Sequence, residues 1–183
     1  GLLSRSPPAT LWPDRRGHLT QIYILALGSN MRVPGVGAPR AVLSAAVGEL
    51  EREGLRVLAV APAIDSAALG PSLRRYANNA VMVESELGPP GLLGLLQTIE
   101  HRFGRTRAQR RGQRWRARAL DIDIILWSGG KWDSQTLQIP HREMRSRGFV
   151  LGPATTIARG WRDPVTGLTL GQLHARLKRA RPK

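Results

Sequence analysis

The sequence predicts an α+β fold: a ferredoxin-like βαββαβ core, an antiparallel sheet with helices packed on it, plus C-terminal additions. Three observations carry this. Apolar runs of strand length alternate with two segments of helix length, each opened by proline. Their order is strand–helix–strand–strand–helix–strand, the split βαβ arrangement. The first run is apolar on both faces, as a central strand must be.

Each element has its own reason. Residues 1–21 read as an irregular extension, since Pro7, Pro8 and Pro13 interrupt it and no periodicity emerges. "QIYILALGS" (21–29) is the central strand. Residues 39–53 form a helix, with Pro39 in its first turn and Val42, Ala46 and Leu50 on one stripe. Strands follow at 54–64 and 76–87. "GPPGLLGLLQTIEHRFG" (88–104) is a helix opened by proline and closed by Gly104. "ALDIDIILWS" (119–128) is the next strand, and Gly129-Gly130 is read as a hairpin turn after it. The remainder reads as short pieces with a last helix near 169–179. Length favours one domain, residues 22–183, with a core large enough to be stable alone.

Composition narrows the function. At 42% hydrophobic residues the chain is globular and not disordered. It has no cysteine, which excludes a disulfide framework and a thiolate metal site. No apolar run approaches the ~18 residues of a membrane span, and residues 1–21 contain no signal-peptide block. A cytoplasmic location, no membrane contact and a monomer are expected. The net charge of +15, from 28 Lys+Arg against 13 Asp+Glu, attracts anions: nucleic acid, an anionic membrane or a polyphosphate. From Arg102 to Arg118 there are eight arginines and no acidic residue. "RLKRARPK" is a second cluster, of the kind found in solvated tails.

The chemistry concentrates in "RWRARALDIDIILW" (114–127). On a strand, residues two apart share a face, so Leu120, Ile122, Ile124 and Leu126 are expected to point into the core. Asp121 and Asp123 then point the other way, roughly 6.6 Å apart along the strand. Two carboxylates this close repel, and a divalent cation removes that cost. Hard oxygen ligands suit Mg²⁺, which shares phosphate oxygens as further ligands. Arginines beside them bind phosphates bidentately. The constellation reads as a phosphoryl-transfer site. Blander readings stand beside it: a solvated strand face for the aspartates, an RNA-binding or merely solvated loop for the arginines, and simple packing for Trp115. His141, after Pro140, lies in a polar turn or in a second phosphate-binding wall. No Gly-Lys-Ser/Thr phosphate loop, dinucleotide fingerprint or local Ser-His-Asp signature is present.

Taken together, "ALGSN", "RYANNAV", "IEHRFGR", "RWRARALDIDIILW" and "IPHREMRSRGFVLGP" resemble, in order and spacing, the hydroxymethyl-dihydropterin pyrophosphokinase family of folate biosynthesis, over about residues 22–160. The resemblance implies transfer of the terminal pyrophosphate of ATP to a pterin alcohol, giving AMP and the pterin diphosphate, with two Mg²⁺ ions. By residue, it implies that Asp121 and Asp123 hold the metal and that Arg105 and Arg118 stabilise the transferring group. It places Gln97, Glu100, Arg107, Trp115, Ile124, Leu137, Gln138, His141 and Arg147 around ATP. Tyr76 and Phe149 are implied to sandwich the pterin, a sensible use of aromatic faces. Asn78 reads its edge with donors and an acceptor. Ser66, Ala67 and Leu69 offer backbone groups, and Gly28 and Ser29 close the pocket. No covalent intermediate is expected, either Asp121 or the metal-bound oxyanion environment assists deprotonation of the alcohol, and the arginine segment is expected to order over ATP and exclude water. No nucleic acid is expected as partner.

The chain departs from the family's usual pattern at Ile64, where an aromatic residue is common, and at Ser66-Ala67, where Thr-Pro is common. It also adds residues near Arg110 and Arg111, and carries "WRAR" for "WGPR". Two rival functions are a basic ferredoxin-like domain that holds RNA without catalysis, and a nucleotidyltransferase that releases pyrophosphate.

Overall fold

The computed structural model describes residues 12–13, 19–66, 75–104 and 119–180. The strands are β1 (Trp12–Pro13), β2 (Leu19–Ser29), β3 (Arg56–Val60), β4 (Ile64–Ser66), β5 (Tyr76–Ser85), β6 (Asp121–Trp127), β7 (Trp132–Asp133) and β8 (Gln138–Ile139). The helices are α1 (Pro39–Arg52), α2 (Pro89–Arg102), α3 (Gly148–Ala158) and α4 (Leu170–Ala180). β2 and β5 are the central pair, joined antiparallel from Gln21↔Ser85 to Ser29↔Ala77. β6 pairs with the free edge of β2, and β3 and β4 pair in turn with the outer edge of β5. β1 pairs with the first residues of β2. The order β6–β2–β5–β3, all antiparallel, is the ferredoxin-like arrangement.

Alternation along β2 divides the core in two. Tyr23, Leu25 and Leu27 join Val42, Leu43, Ala46 and Leu50 of α1 and Leu92, Leu96 and Ile99 of α2 in one cluster. Ile24 lies in a second cluster with Ala80 and Met82 of β5 and with Leu151, Ala154, Leu170 and Leu173 of α3 and α4. Helices therefore cover both faces of the sheet. Each fully buried leucine contributes about 1.5–3 kcal/mol of transfer free energy, so both helix layers hold the strands in place. Arg102 ties the end of α2 to α1, pairing with Glu49 and Glu53.

Several expectations are corrected. The strand expected at 54–64 is two, β3 and β4, separated at 61–63 around Pro62, which has no N–H for a ladder bond. Gly129-Gly130 turns the chain, but not into a hairpin with β6: β7 pairs with β8. Gly129 is needed there because a Cβ would stand 2.2 Å from the Trp127 ring. Leu126 does not share a face with Ile122 and Ile124. A bulge between Ile24 and Leu25 in the β2–β6 register places one extra residue, Ile125, on β6, and both Ile125 and Leu126 enter the second cluster. Helix α3 lies where only short pieces are expected, and it contains Pro153, Gly148 and Gly152.

Candidate active site

The β-sheet register builds the site. Asp121 pairs with Gly28, Gly28 with Asn78, and Asn78 with Ile64, a single row across β6, β2, β5 and β4. The next row runs Asp123, Ala26, Ala80. Ala80 belongs to the cluster of α3 and α4, so both rows face that side. Asp121 is half-buried and the Asp123 side chain is 54% exposed, so the cost of burying this charge pair is smaller than the strand pattern suggests. His141 Nε2 stands 3.9 Å from Asp123 Oδ2.

Gly28 is the bare point in the first row. A Cβ there would stand 3.2 Å from Asn78 Oδ1 and 3.7 Å from Tyr76 Cδ1. Asn78 is buried, and its Nδ2 donates to Ser66 Oγ at 2.6 Å. Tyr76 pairs with Ser66 across β5 and β4. Ser66 lines a cavity of about 610 Å³ whose other wall includes Arg147 and Phe149 at the start of α3. The Arg147 guanidinium lies 5.6 Å from the centre of the Phe149 ring, within cation–π range, and also pairs with Glu143. The structure thus brings Gly28, Ser66, Tyr76, Asn78, Arg147 and Phe149 to one end of one sheet face.

A second group lies along the outer edge of the sheet. Ile124 of β6 packs in the first cluster with Ile139, and Leu137 and Trp132 lean on it. Gln138 opens β8 and is exposed. The last two turns of α2 carry Gln97, exposed, and Glu100, buried. His141 follows β8, and its N–H donates to the carbonyl of Ile125 at the bulge, at 3.1 Å. Asp121 and Asp123 sit on β6 between this edge group and the face group. Ser29 is the exception: it is fully buried, pairs with Ala77 and so faces α1 and α2, away from the cavity. Arg105, Arg107, Trp115, Arg118, Ala67 and Leu69 lie outside the described residues.

Sequence reasoning misses Glu143, Arg145 and Asp163. Arg145 donates through Nε to Asp163 Oδ2 at 2.6 Å and through Nη2 to Oδ1 at 2.8 Å. Burial of Asp163 opposes its ionisation, yet hydrogen bonds from Arg145, the Val165 N–H and Thr166 outweigh it and hold the carboxyl below its ordinary range. "DPVTG" (163–167) carries a turn signature, but nothing in the sequence links it to one arginine among many. Two carboxylates on one strand face, with His141 beside Asp123, form a donor set suited to a divalent cation and so to phosphoryl transfer. Among the described residues no group of three or more His, Asp or Glu side chains gathers as a metal cage, so any cation here must take further ligands from substrate or water.

Comparison with known proteins points the same way. A family model for 7,8-dihydro-6-hydroxymethylpterin-pyrophosphokinase matches residues 24–159. The chain is 36% identical over 151 residues to a 2-amino-4-hydroxy-6-hydroxymethyldihydropteridine pyrophosphokinase of Synechocystis sp., covering 82% of this chain and 73% of that one. It is 36% identical over 148 residues to the protein of the same name in Pseudomonas aeruginosa, covering 80% and 85%. A folic acid synthesis protein of Schizosaccharomyces pombe is 30% identical over 151 residues, which are 19% of its length. Among solved structures, wild-type HPPK-DHPS of Plasmodium falciparum with STZ-DHP superposes with a TM-score of 0.60 at 13% identity, over 86% of this chain. That likeness is one of fold, and the chain spans 43% of that longer one.

Proposed function

The chain belongs to the 7,8-dihydro-6-hydroxymethylpterin-pyrophosphokinase family, and on that premise we infer that it transfers pyrophosphate from ATP to the hydroxymethyl group of 6-hydroxymethyl-7,8-dihydropterin. The products are AMP and the pterin diphosphate, a step of folate synthesis. The enzyme is a transferase with ATP as co-substrate. The RNA-binding rival gains no support: the sheet face where RNA would lie is covered by α3 and α4.

The observation that supports the site assignment is the row Asp121–Gly28–Asn78, with the edge group on one side and the cavity on the other. In this reading the pterin lies over Gly28, whose missing side chain leaves room for a ring. The Asn78 amide, oriented by Ser66, reads its edge, and Tyr76 and Phe149 flank it. ATP follows the edge of β6 past Ile124, Leu137 and Gln138, with Gln97 and Glu100 from α2. Its phosphates then turn toward Asp121 and Asp123, where His141 and Arg147 meet them. Two carboxylates on one strand face fit Mg²⁺, and two ions are assigned to them. Asp121 and Asp123 would hold the Mg²⁺, which would supply neutralisation of phosphate charge and acidify the attacking alcohol. The chain's own contribution is positioning: it holds the hydroxymethyl oxygen and the β-phosphorus in line and keeps water out. In this reading Asp121, half-buried beside Gly28, or the metal-bound oxyanion environment assists loss of the alcohol proton. Arg105, Arg107, Trp115 and Arg118 complete the ATP side on the strength of the sequence resemblance. The enzyme acts as a monomer in the cytoplasm, and none of its described helices is long and apolar enough to cross a membrane.

Nucleotide product analysis tests the reading. With ATP, Mg²⁺ and hydroxymethyl-dihydropterin present, AMP should form, and omission of any one should abolish it. Formation of ADP, or of free pyrophosphate, would refute it.

A further inference from the structure

We propose that Asp163 is a positioning residue for this site, acting through Arg145; the proposal rests on the pyrophosphokinase reading. The segment from His141 to Arg147 joins β8 to α3 and contains only turns. It nevertheless carries His141 and Arg147 and leads directly into Phe149. Its ends are held by backbone bonds, His141 N–H to the Ile125 carbonyl at one end and the Arg147 carbonyl to Val150 and Leu151 at the other. Its middle is anchored by the buried Met144 side chain and by Arg145.

Arg145 is gripped unusually firmly. Its two donors meet the two oxygens of Asp163 in the parallel arrangement that fixes orientation as well as distance. Asp163 is fully buried, and it also accepts from the Val165 N–H at 3.0 Å and from Thr166 Oγ1 at 2.8 Å. Its own backbone closes the α3–α4 connection, donating to the Leu168 carbonyl and accepting from the Gly167 N–H, both at 2.8 Å. The carboxylate is therefore oriented by its own turn as well as by Arg145. A buried charge whose one ionic partner among the described residues is an arginine on the turn beside the site is a costly way to stabilise a fold. It is an effective way to fix that turn. Arg145 and Asp163 need touch neither substrate; they hold His141 opposite Asp123 and Arg147 and Phe149 against the cavity.

Three variants separate positioning from stability: Asp163→Asn, Arg145→Lys, and the apolar pair Arg145→Met with Asp163→Leu. The apolar pair removes both charges, and such replacements often preserve or raise stability. Each is assayed well below its unfolding midpoint, with folding checked by circular dichroism. Kinetics are paired with calorimetric binding of a non-hydrolysable α,β-methylene ATP and Mg²⁺. Positioning predicts that the folded apolar pair loses at least tenfold in kcat/KM and binds the analogue at least fivefold more weakly, with Arg145→Lys intermediate. An apolar pair with wild-type kcat/KM and wild-type analogue binding would overturn the proposal and leave a fold staple. If wild-type protein binds the analogue but forms no AMP, the pyrophosphokinase reading fails, and the analogue affinities of the variants still decide the positioning role. Wild-type protein that binds no analogue overturns both.

Discussion

Replacing Gly28 by alanine probes the proposed pterin floor directly. The added Cβ would stand 3.2 Å from Asn78 Oδ1 and 3.7 Å from Tyr76 Cδ1. The second contact is ordinary. The first requires the amide to yield by a few tenths of an ångström, and Asn78 is held on its other side by Ser66 at 2.6 Å. Overfilling a packed site costs about 1–3 kcal/mol, and a misaligned amide forfeits a further hydrogen bond of about 0.5–1.5 kcal/mol when substrate binds. The smaller total corresponds to about a tenfold rise in the KM for the pterin, and the overpacking cost alone reaches about 150-fold. Gly28 has no left-handed φ, so alanine restricts the unfolded chain by about 0.4–1 kcal/mol and offsets part of any loss of stability. Steady-state kinetics with each substrate varied in turn, alongside urea unfolding, measure both effects. The pterin KM should rise, the ATP KM should stay within about twofold, and the protein should remain folded. An unchanged pterin KM, or equal rises for both substrates, would refute the placement of the ring over Gly28.

Other predictions follow from single contacts. Glu143→Gln frees Arg147 for phosphate, and since an exposed pair is worth about 0–1 kcal/mol, the KM for ATP should fall by up to about fivefold; a rise contradicts the assignment of Arg147. The depressed folded-state pKa of Asp163 contributes stability that is present above the unfolded carboxylate value of about 3.9 and is lost as pH falls through the lower folded value. Urea midpoints measured from pH 7 down to pH 2 should therefore drop less steeply in Asp163→Asn than in wild type, and parallel curves would contradict the linkage. Conversion of Leu50, fully buried on α1, to alanine should cost about 2–5 kcal/mol. Leu19, 57% exposed, should change by less than about 0.5 kcal/mol, and similar losses at both sites in urea unfolding would contradict the two-layer core.

The sheet order was readable because its strands announce themselves. β2 is apolar on both faces, and proline opens both α1 and α2. Asp121 and Asp123 were readable as a pair because period two puts them on one face whatever their partners. Leu126 was misplaced because a bulge breaks that period, and the bulge depends on how β6 meets β2 and not on local composition. Helix α3 was hidden by Gly148, Gly152 and Pro153, which argue against a helix locally; its burial on the sheet through Leu151 and Ala154 decides otherwise. A Cβ at Gly152 would meet the His174 ring of α4 at an ordinary contact distance of 3.7 Å, so packing does not require glycine there. The resemblance implies that Ser29 closes the pocket with Gly28, but adjacent strand residues face opposite sides, and Ser29 pairs with Ala77 on the side of α1 and α2. The Arg145–Asp163 contact could not be foreseen because it joins two irregular segments, where no periodicity constrains which arginine meets which acid.

The central claim is that the carboxylate pair on β6 stands between nucleotide and pterin and carries the transfer. The most direct test follows label from ATP carrying ³²P at the β-phosphate, with wild type and Asp123→Ala assayed side by side. Wild type should place the label in the pterin diphosphate with one AMP formed per labelled product. Asp123→Ala, a substitution at a 54% exposed side chain, should keep the wild-type circular dichroism spectrum and transfer at least a thousandfold more slowly. Label retained in ADP or released as free pyrophosphate by wild type, or transfer at the wild-type rate by the variant, would contradict the account.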